Sequence, residues 1–304
     1  MGYTGENQQG VNTMRWEGNR ESDNVEDHRG SGGGGGFGFG GRSIGIGTIV
    51  IALIGGWALG INPLTILGLL SGGGPVQVSE QEQSRPGPEG NDREYKLMKV
   101  VLADTEDVWT ELFRRNGGTY QMPKLKVFNG SIATACGQGV SATGPFYCPG
   151  DQDIYIDLDF FRLMESRFKA PGEFAQAYVV AHEVGHHVQN LMGLSTKVHN
   201  AKRNASERQA NALSVRLELQ ADCFAGVWAH HANRARNIIE QGDVQAALAA
   251  ATAIGDDALQ RQSGGDVVPD SFTHGSSAQR VRWFTRGIES GEIAQCNTFE
   301  ARQL

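Results

Sequence analysis

From Ser43 to Ser79 the chain carries no charged residue, and within that window Ile44 to Leu70 is dominated by Ile, Leu, Val, Gly and Ala, with Trp57 inside it. A helix needs about 20 apolar residues to cross the ~30 Å hydrocarbon layer of a bilayer. Ile44 to Ile61, extended past Asn62-Pro63 towards Leu70, reaches that length. Residues 43–70 are therefore expected to form one transmembrane helix, the alternatives being a buried core helix or a cleaved signal peptide. A cleaved signal peptide would start near residue 1 with a short basic segment, whereas here a long polar and Gly-rich tract comes first.

The flanks read differently. Residues 1–42 mix polar and charged side chains with a run from Gly30 to Gly41 that only Ser31, Phe37 and Phe39 interrupt. So little apolar surface is available that the segment is expected to be a disordered Gly-rich tail. Residues 71–91, with Pro75, Pro86 and Pro88 and no periodicity, read as a linker. The folded domain is then 92–304. Arg29 and Arg42 precede the apolar run, and Arg85 and Arg93 follow it at greater distance, which favours a cytoplasmic amino terminus. All four cysteines lie on the carboxyl side, an even number that suits two disulfides in an oxidising compartment. Together these features predict a single-pass protein of a bacterial cell or inner membrane, with the large domain in the periplasm or outside the cell. A net charge of -7 leaves no basic stripe for phosphate, so nucleic acid is not an expected partner.

Within 92–304 the pattern begins with a helix over Glu94 to Phe113, where Leu97, Val100, Val101, Val108, Trp109 and Leu112 recur at helical spacing. Leu125 to Phe128, Ser131 to Ala135 and Ile154 to Leu158 are short and β-like, separated by Asn129-Gly130 and Pro149-Gly150. From Pro171 onward the pattern is helical. The expected class is α+β, mainly helical with a small β-sheet.

The sharpest motif is His182-Glu183-Val184-Gly185-His186, set in a stretch whose Tyr178, Val179 and Val180 mark a buried helix. Residues four apart lie about 40° apart around a helix, so both imidazoles can reach one ion, and Glu183 sits beside that face to take a proton from a metal-bound water. Two histidines four apart also arise by chance, so the surroundings must carry the reading. A catalytic zinc site has three protein ligands and one open position. Gln189 and Met192 exclude the arrangement with a third histidine six residues on. Glu218 and Asp222, one turn apart on an apolar-periodic helix from Ser206 to His231, offer a carboxylate ligand and an acceptor for a ligating imidazole's free N–H. The pair would equally suit a solvated acidic helix face. His187 points about 100° away from His186, His230 and His231 lie more than three turns past Glu218, and His199 has no evident partner.

At this point the chain resembles a known family. Cys148 to Phe161, Ala177 to Gln189, Glu218 to Gly226, and Thr273-His274-Gly275 followed by Arg280 to Gly291 are, in order, similar to the bacterial family named putative neutral zinc metallopeptidases, which are membrane-anchored and gluzincin-type. The resemblance implies a zincin-like fold, one zinc ion on His182, His186 and Glu218, Glu183 as catalytic residue, and a peptide or protein substrate. His274 also resembles the histidine of the Thr-His-Pro element in prenyl-protein-processing membrane metalloproteases, which faces the tetrahedral oxyanion. Here Gly275 stands in place of that proline, and His274 could instead cap the following helix or contact Asp270.

Two further expectations concern the scaffold. Asp153 to Asp159 is a candidate edge strand for an extended peptide, or simply a structural strand. Cys136 and Cys148 flank a Gly-rich hairpin-like segment whose closure would contribute roughly 3 kcal/mol, and Cys223 with Cys296 would staple the carboxyl terminus beside the metal. A second zinc site on the cysteines lacks a Cys-x-x-Cys spacing. The alternative to a membrane-anchored metallopeptidase is a tethered binding or scaffold protein with an idle zinc, its coordination closed by a fourth ligand such as His187. A zinc hydrolase of non-peptide bonds is a third reading.

Overall fold

The computed structural model describes residues 14–30, 93–141, 144–166, 172–262 and 266–304. The expected span and linker lie outside these residues. Among the described residues no helix is long and apolar enough to cross a membrane.

The domain is mainly helical with a small sheet, as its periodicity implies. Helix α1 (Arg93–Arg115) buries Leu97, Val100, Val101, Val108, Trp109 and Leu112. Strand β1 (Val25–Asp27) runs parallel to β2 (Leu125–Phe128), which runs parallel to β6 (Asp153–Asp157), and β5 (Phe146–Cys148) closes the sheet antiparallel to β6, giving the order β1-β2-β6-β5. A separate hairpin joins β3 (Ser131–Thr134) to β4 (Gly137–Val140). Then come α2 (Asp159–Ser166), α3 (Glu173–Leu191), α4 (Leu194–Lys202), α5 (Glu207–Arg236), α6 (Asp243–Ala253), α7 (Asp256–Gln262) and α8 (Ser277–Ser290), with a last 3-10 turn at Ile293–Cys296.

Two expectations change. Residues 14–30 are not part of a disordered tail. Met14, Trp16 and Val25 are buried in the main core, and β1 forms one edge of the sheet. Their low apolar content hides this order, because much of it comes from polar contacts with distant residues: Ser22 and Asn24 donate to Glu106, and Lys99 pairs with Glu21. Nor is β6 an edge. It is paired on both sides and every residue in it is buried, and among the described residues the edge of the sheet beside it is β5.

The helix starts follow from the sequence chemistry. Ser206 with Gln209 and Ser276 with Gln279 form capping boxes at the starts of α5 and α8, satisfying backbone N–H groups that would otherwise be orphaned. Helix α5 is then held on two sides. Trp228 and Arg236 donate to Asp104 of α1 at 2.9 and 2.6 Å, and α8 packs along its other flank. The α5–α8 approach depends on Gly226 facing Gly287: a Cβ on Gly287 would lie 2.0 Å from the Cys223 carbonyl oxygen, and one on Gly226 2.2 Å from that of Phe284. Both disulfides form with the expected pairing, Cys136–Cys148 across the hairpin segment and Cys223–Cys296 between α5 and the last 3-10 turn.

Because the obstacle at Gly287 is backbone, a methyl group there forces the helices apart. Gly287→Ala is expected to cost about 1–3 kcal/mol, read as a lower denaturant midpoint of the full chain. An unchanged midpoint would show that the two helices tolerate separation.

Candidate metal centre

Helix α3 places His182 and His186 on one face, and α5, crossing it, brings Glu218 to them. The Nε2 atoms of the two imidazoles are 3.2 Å apart, and Oε2 of Glu218 lies 3.2 Å from that of His182 and 3.5 Å from that of His186. Tetrahedral zinc with bonds of about 2.0–2.1 Å to nitrogen and oxygen has ligand–ligand edges of about 3.3 Å. The triangle therefore fits one face of a zinc tetrahedron and leaves the fourth corner to a non-protein group. Among the described residues these three are the only His, Cys, Asp or Glu side chains grouped closely enough to hold a metal ion.

Each imidazole is fixed from behind. His182 Nδ1 lies 2.8 Å from Oδ1 of Asp222, which also accepts from the Tyr178 hydroxyl at 2.6 Å and from Arg280 at 2.8 Å, while Arg280 Nε donates to the other carboxylate oxygen at 2.9 Å. Asp222 is completely buried, and although burial opposes its ionisation, Arg280 and His182 bring its carboxyl down to about 2. His186 Nδ1 lies 2.9 Å from Oε1 of Gln189, whose amide donates to the Leu217 carbonyl and to Gln220. Gln220 in turn donates to the Cys296 carbonyl at 3.0 Å, tying this arm of the network to the bridged carboxyl terminus. With both Nδ1 atoms engaged, both Nε2 atoms are left to face Glu218. Such partners set the tautomer and the basicity of a ligating histidine.

Glu183 is buried next to the triangle, and burial pushes its carboxyl above the ordinary value against the pull of both imidazoles. Among the described residues no group donates a hydrogen bond to it. His274 stands on the loop before α8, half-exposed, its Nδ1 3.2 Å from Asp256 and 3.0 Å from the Thr273 hydroxyl. Neither contact uses Nε2, and His274 lies near enough to Glu218 for their charges to interact. The buried carboxylate of Asp256 accepts the backbone N–H groups of Thr273, His274 and Gly275 at 2.7, 2.7 and 3.0 Å and so holds the whole loop. Gly275 has φ +93°, a value proline cannot adopt, which accounts for glycine at this position. The partner of His274 is thus Asp256, and Ser276 supplies the helix cap.

His187, His230 and His231 are turned elsewhere. His187 donates to the Gln121 carbonyl at 2.6 Å and meets the Tyr147 hydroxyl at 3.2 Å, and burial lowers its proton affinity. His230 and His231 bond the Ile288 and Gly291 carbonyls. His187 therefore does not close the coordination. Sequence reading found Asp222 but not Gln189, Arg280 or Asp256 in their roles. Gln189 alone left a local signal, since it lies three residues beyond His186 on the same helix face.

The family model described as "Putative neutral zinc metallopeptidase" matches residues 14–299. The chain is 51% identical over 291 residues to "Uncharacterized protein YpfJ" of Escherichia coli K12, covering 94% of this chain and 99% of that protein. It is 41% identical over 233 residues to "Uncharacterized protein Rv2575" of Mycobacterium tuberculosis H37Rv, covering 73% and 76%. No solved structure matches. The chain belongs to this zinc metallopeptidase family.

Without metal, Asp222 and Glu218 outweigh burial and raise the proton affinity of both ligand histidines, that of His186 to about 9. Below that pH protons compete with a cation for the same nitrogens. Zinc affinity should therefore rise as the pH is brought up towards 9, and uptake at pH 7 should release protons, seen as a binding heat that varies with buffer. An affinity independent of pH over that range would contradict this.

Proposed function

We propose that this protein is a zinc-dependent metalloendopeptidase held at a membrane through residues 44–70, with its domain outside the cytoplasm. The observation that carries this reading is the set of three donors with edges of 3.2–3.5 Å beside a buried glutamate, with no fourth protein donor grouped with them among the described residues. One zinc ion held by His182, His186 and Glu218 would act as a Lewis acid, polarising the scissile carbonyl and acidifying water. The protein supplies the remaining groups. Glu183 accepts the proton of the attacking water and returns it to the departing amine nitrogen, both within reach of one carboxylate. His274, oriented through Nδ1 by Asp256, presents Nε2 to the oxygen on which negative charge develops. Asp222 and Gln189 keep the two ligand imidazoles aimed.

A peptide would lie along β5. Among the described residues that strand has a neighbour on one side only, so its outer main-chain groups can pair with an extended substrate, and Tyr147 on it contacts His187 of the motif helix. The two disulfides support an oxidising compartment, a periplasm or cell exterior. The scaffold reading needs a fourth protein ligand, and His187 is bonded elsewhere.

Glu183→Gln should keep one zinc per chain while chelator-sensitive cleavage of a mixed peptide library falls at least ~10²-fold. In the same assay His274→Ala should lower kcat about 10²–10³-fold. Full cleavage by the zinc-loaded Glu183→Gln protein would remove Glu183 from the mechanism.

A further inference from the structure

The segment before the apolar stretch and the domain after it are built into one another. Residues 14–30 wrap the domain as a strap. Arg15 pairs with Glu240 at 2.7 Å. The Trp16 indole donates to Glu173, the first residue of the motif helix α3, at 2.8 Å, and Arg93 lies over the Trp16 ring while bonding both Glu17 and Glu173. Glu106, only 1% exposed, takes hydrogen bonds from Arg20, Ser22 and Asn24 at 2.9, 2.6 and 2.7 Å, all three from the strap. Further on, β1 pairs with β2 and Glu26 meets Lys124 at 2.7 Å. Arg29, counted above as a cation flanking the apolar run, is buried over Tyr95 and bound to Asp27. The family match itself begins at Met14, so strap and domain form one matched unit.

A chain that crossed a bilayer once between residues 30 and 93 would put the strap and the domain in different compartments, and none of these contacts could form. We propose that residues 14–30 and residues 93–304 occupy the same side of the membrane, so that the apolar stretch attaches the protein through one face of the bilayer instead of carrying the chain across. Two helical crossings would also return the chain to the starting side, but they need about 40 apolar residues, more than the uncharged window from Ser43 to Ser79 contains. The one-faced attachment replaces the single-pass arrangement that charge and hydropathy alone favour. It rests on the strap and not on the metal or on any peptidase activity, so it stands or falls separately.

Zero-length carbodiimide crosslinking of the wild-type full chain in its own membranes, read by peptide mass spectrometry, tests it. Expected are crosslinks between Glu21 and Lys99, 2.8 Å apart, and between Glu26 and Lys124, together with the internal control Lys126–Asp153 at 2.6 Å. In parallel, Asp23→Cys and Lys197→Cys place single thiols at exposed positions in the strap and the domain, against a background in which all four native cysteines are bridged. Both should react with a membrane-impermeant maleimide to the same extent, whether cells are intact or lysed. The proposal is overturned if the control crosslink forms without either strap crosslink, or if one thiol needs lysis to react and the other does not.

Discussion

A carboxylate with no solvent exposure must be neutralised from within the protein, and the one at Asp222 is held by groups from two other helices at once. His182 and Tyr178 reach it from α3 and Arg280 from α8, while its own helix α5 carries Glu218 one turn earlier. Removing Arg280 would break the buried ion pair at a cost of about 3–5 kcal/mol. The demand of this single group therefore fixes how the helices dock, and the docking puts Glu218 against the two imidazoles.

The same network separates structural from chemical roles. Asp222 and Gln189 occupy the Nδ1 side of the histidines, so the Nε2 side is the one offered to a cation. Glu183 is free of such ties among the described residues, which suits the proton-transfer role proposed for it. Asp256 plays the corresponding part for His274 by gripping three successive backbone amides of its loop. The Cys223–Cys296 bridge joins α5 to the chain end beside the carbonyl that holds Gln220, so the support of His186 reaches a covalent tie.

What could be read from the sequence was what repeats at a local period or carries a spacing. The helices α1, α3, α5 and α8, the strands at 125–128 and near 154–158, and the pair His182 and His186 all announce themselves within a few turns of chain, whereas Glu218 suited a solvated helix face equally well until the family resemblance joined it to them. Arg280 gave no such signal, because its role depends on a partner 58 residues away. The strap failed to register for the same reason. Its burial is supplied by Glu106, Glu173 and β2, none of them near it in sequence, and a test based on local apolar content cannot see them. The internal position of β6 likewise depended on β2, a parallel partner separated from it by three intervening strands, while its antiparallel partner β5 directly precedes it.

The central claim is an open site of two imidazoles and one carboxylate. X-ray absorption at the zinc edge of the metal-loaded full chain measures it directly. The account predicts one zinc with two imidazole nitrogens and two oxygen neighbours at about 2.0–2.1 Å. A third imidazole, a sulfur ligand, or failure to retain zinc would contradict it.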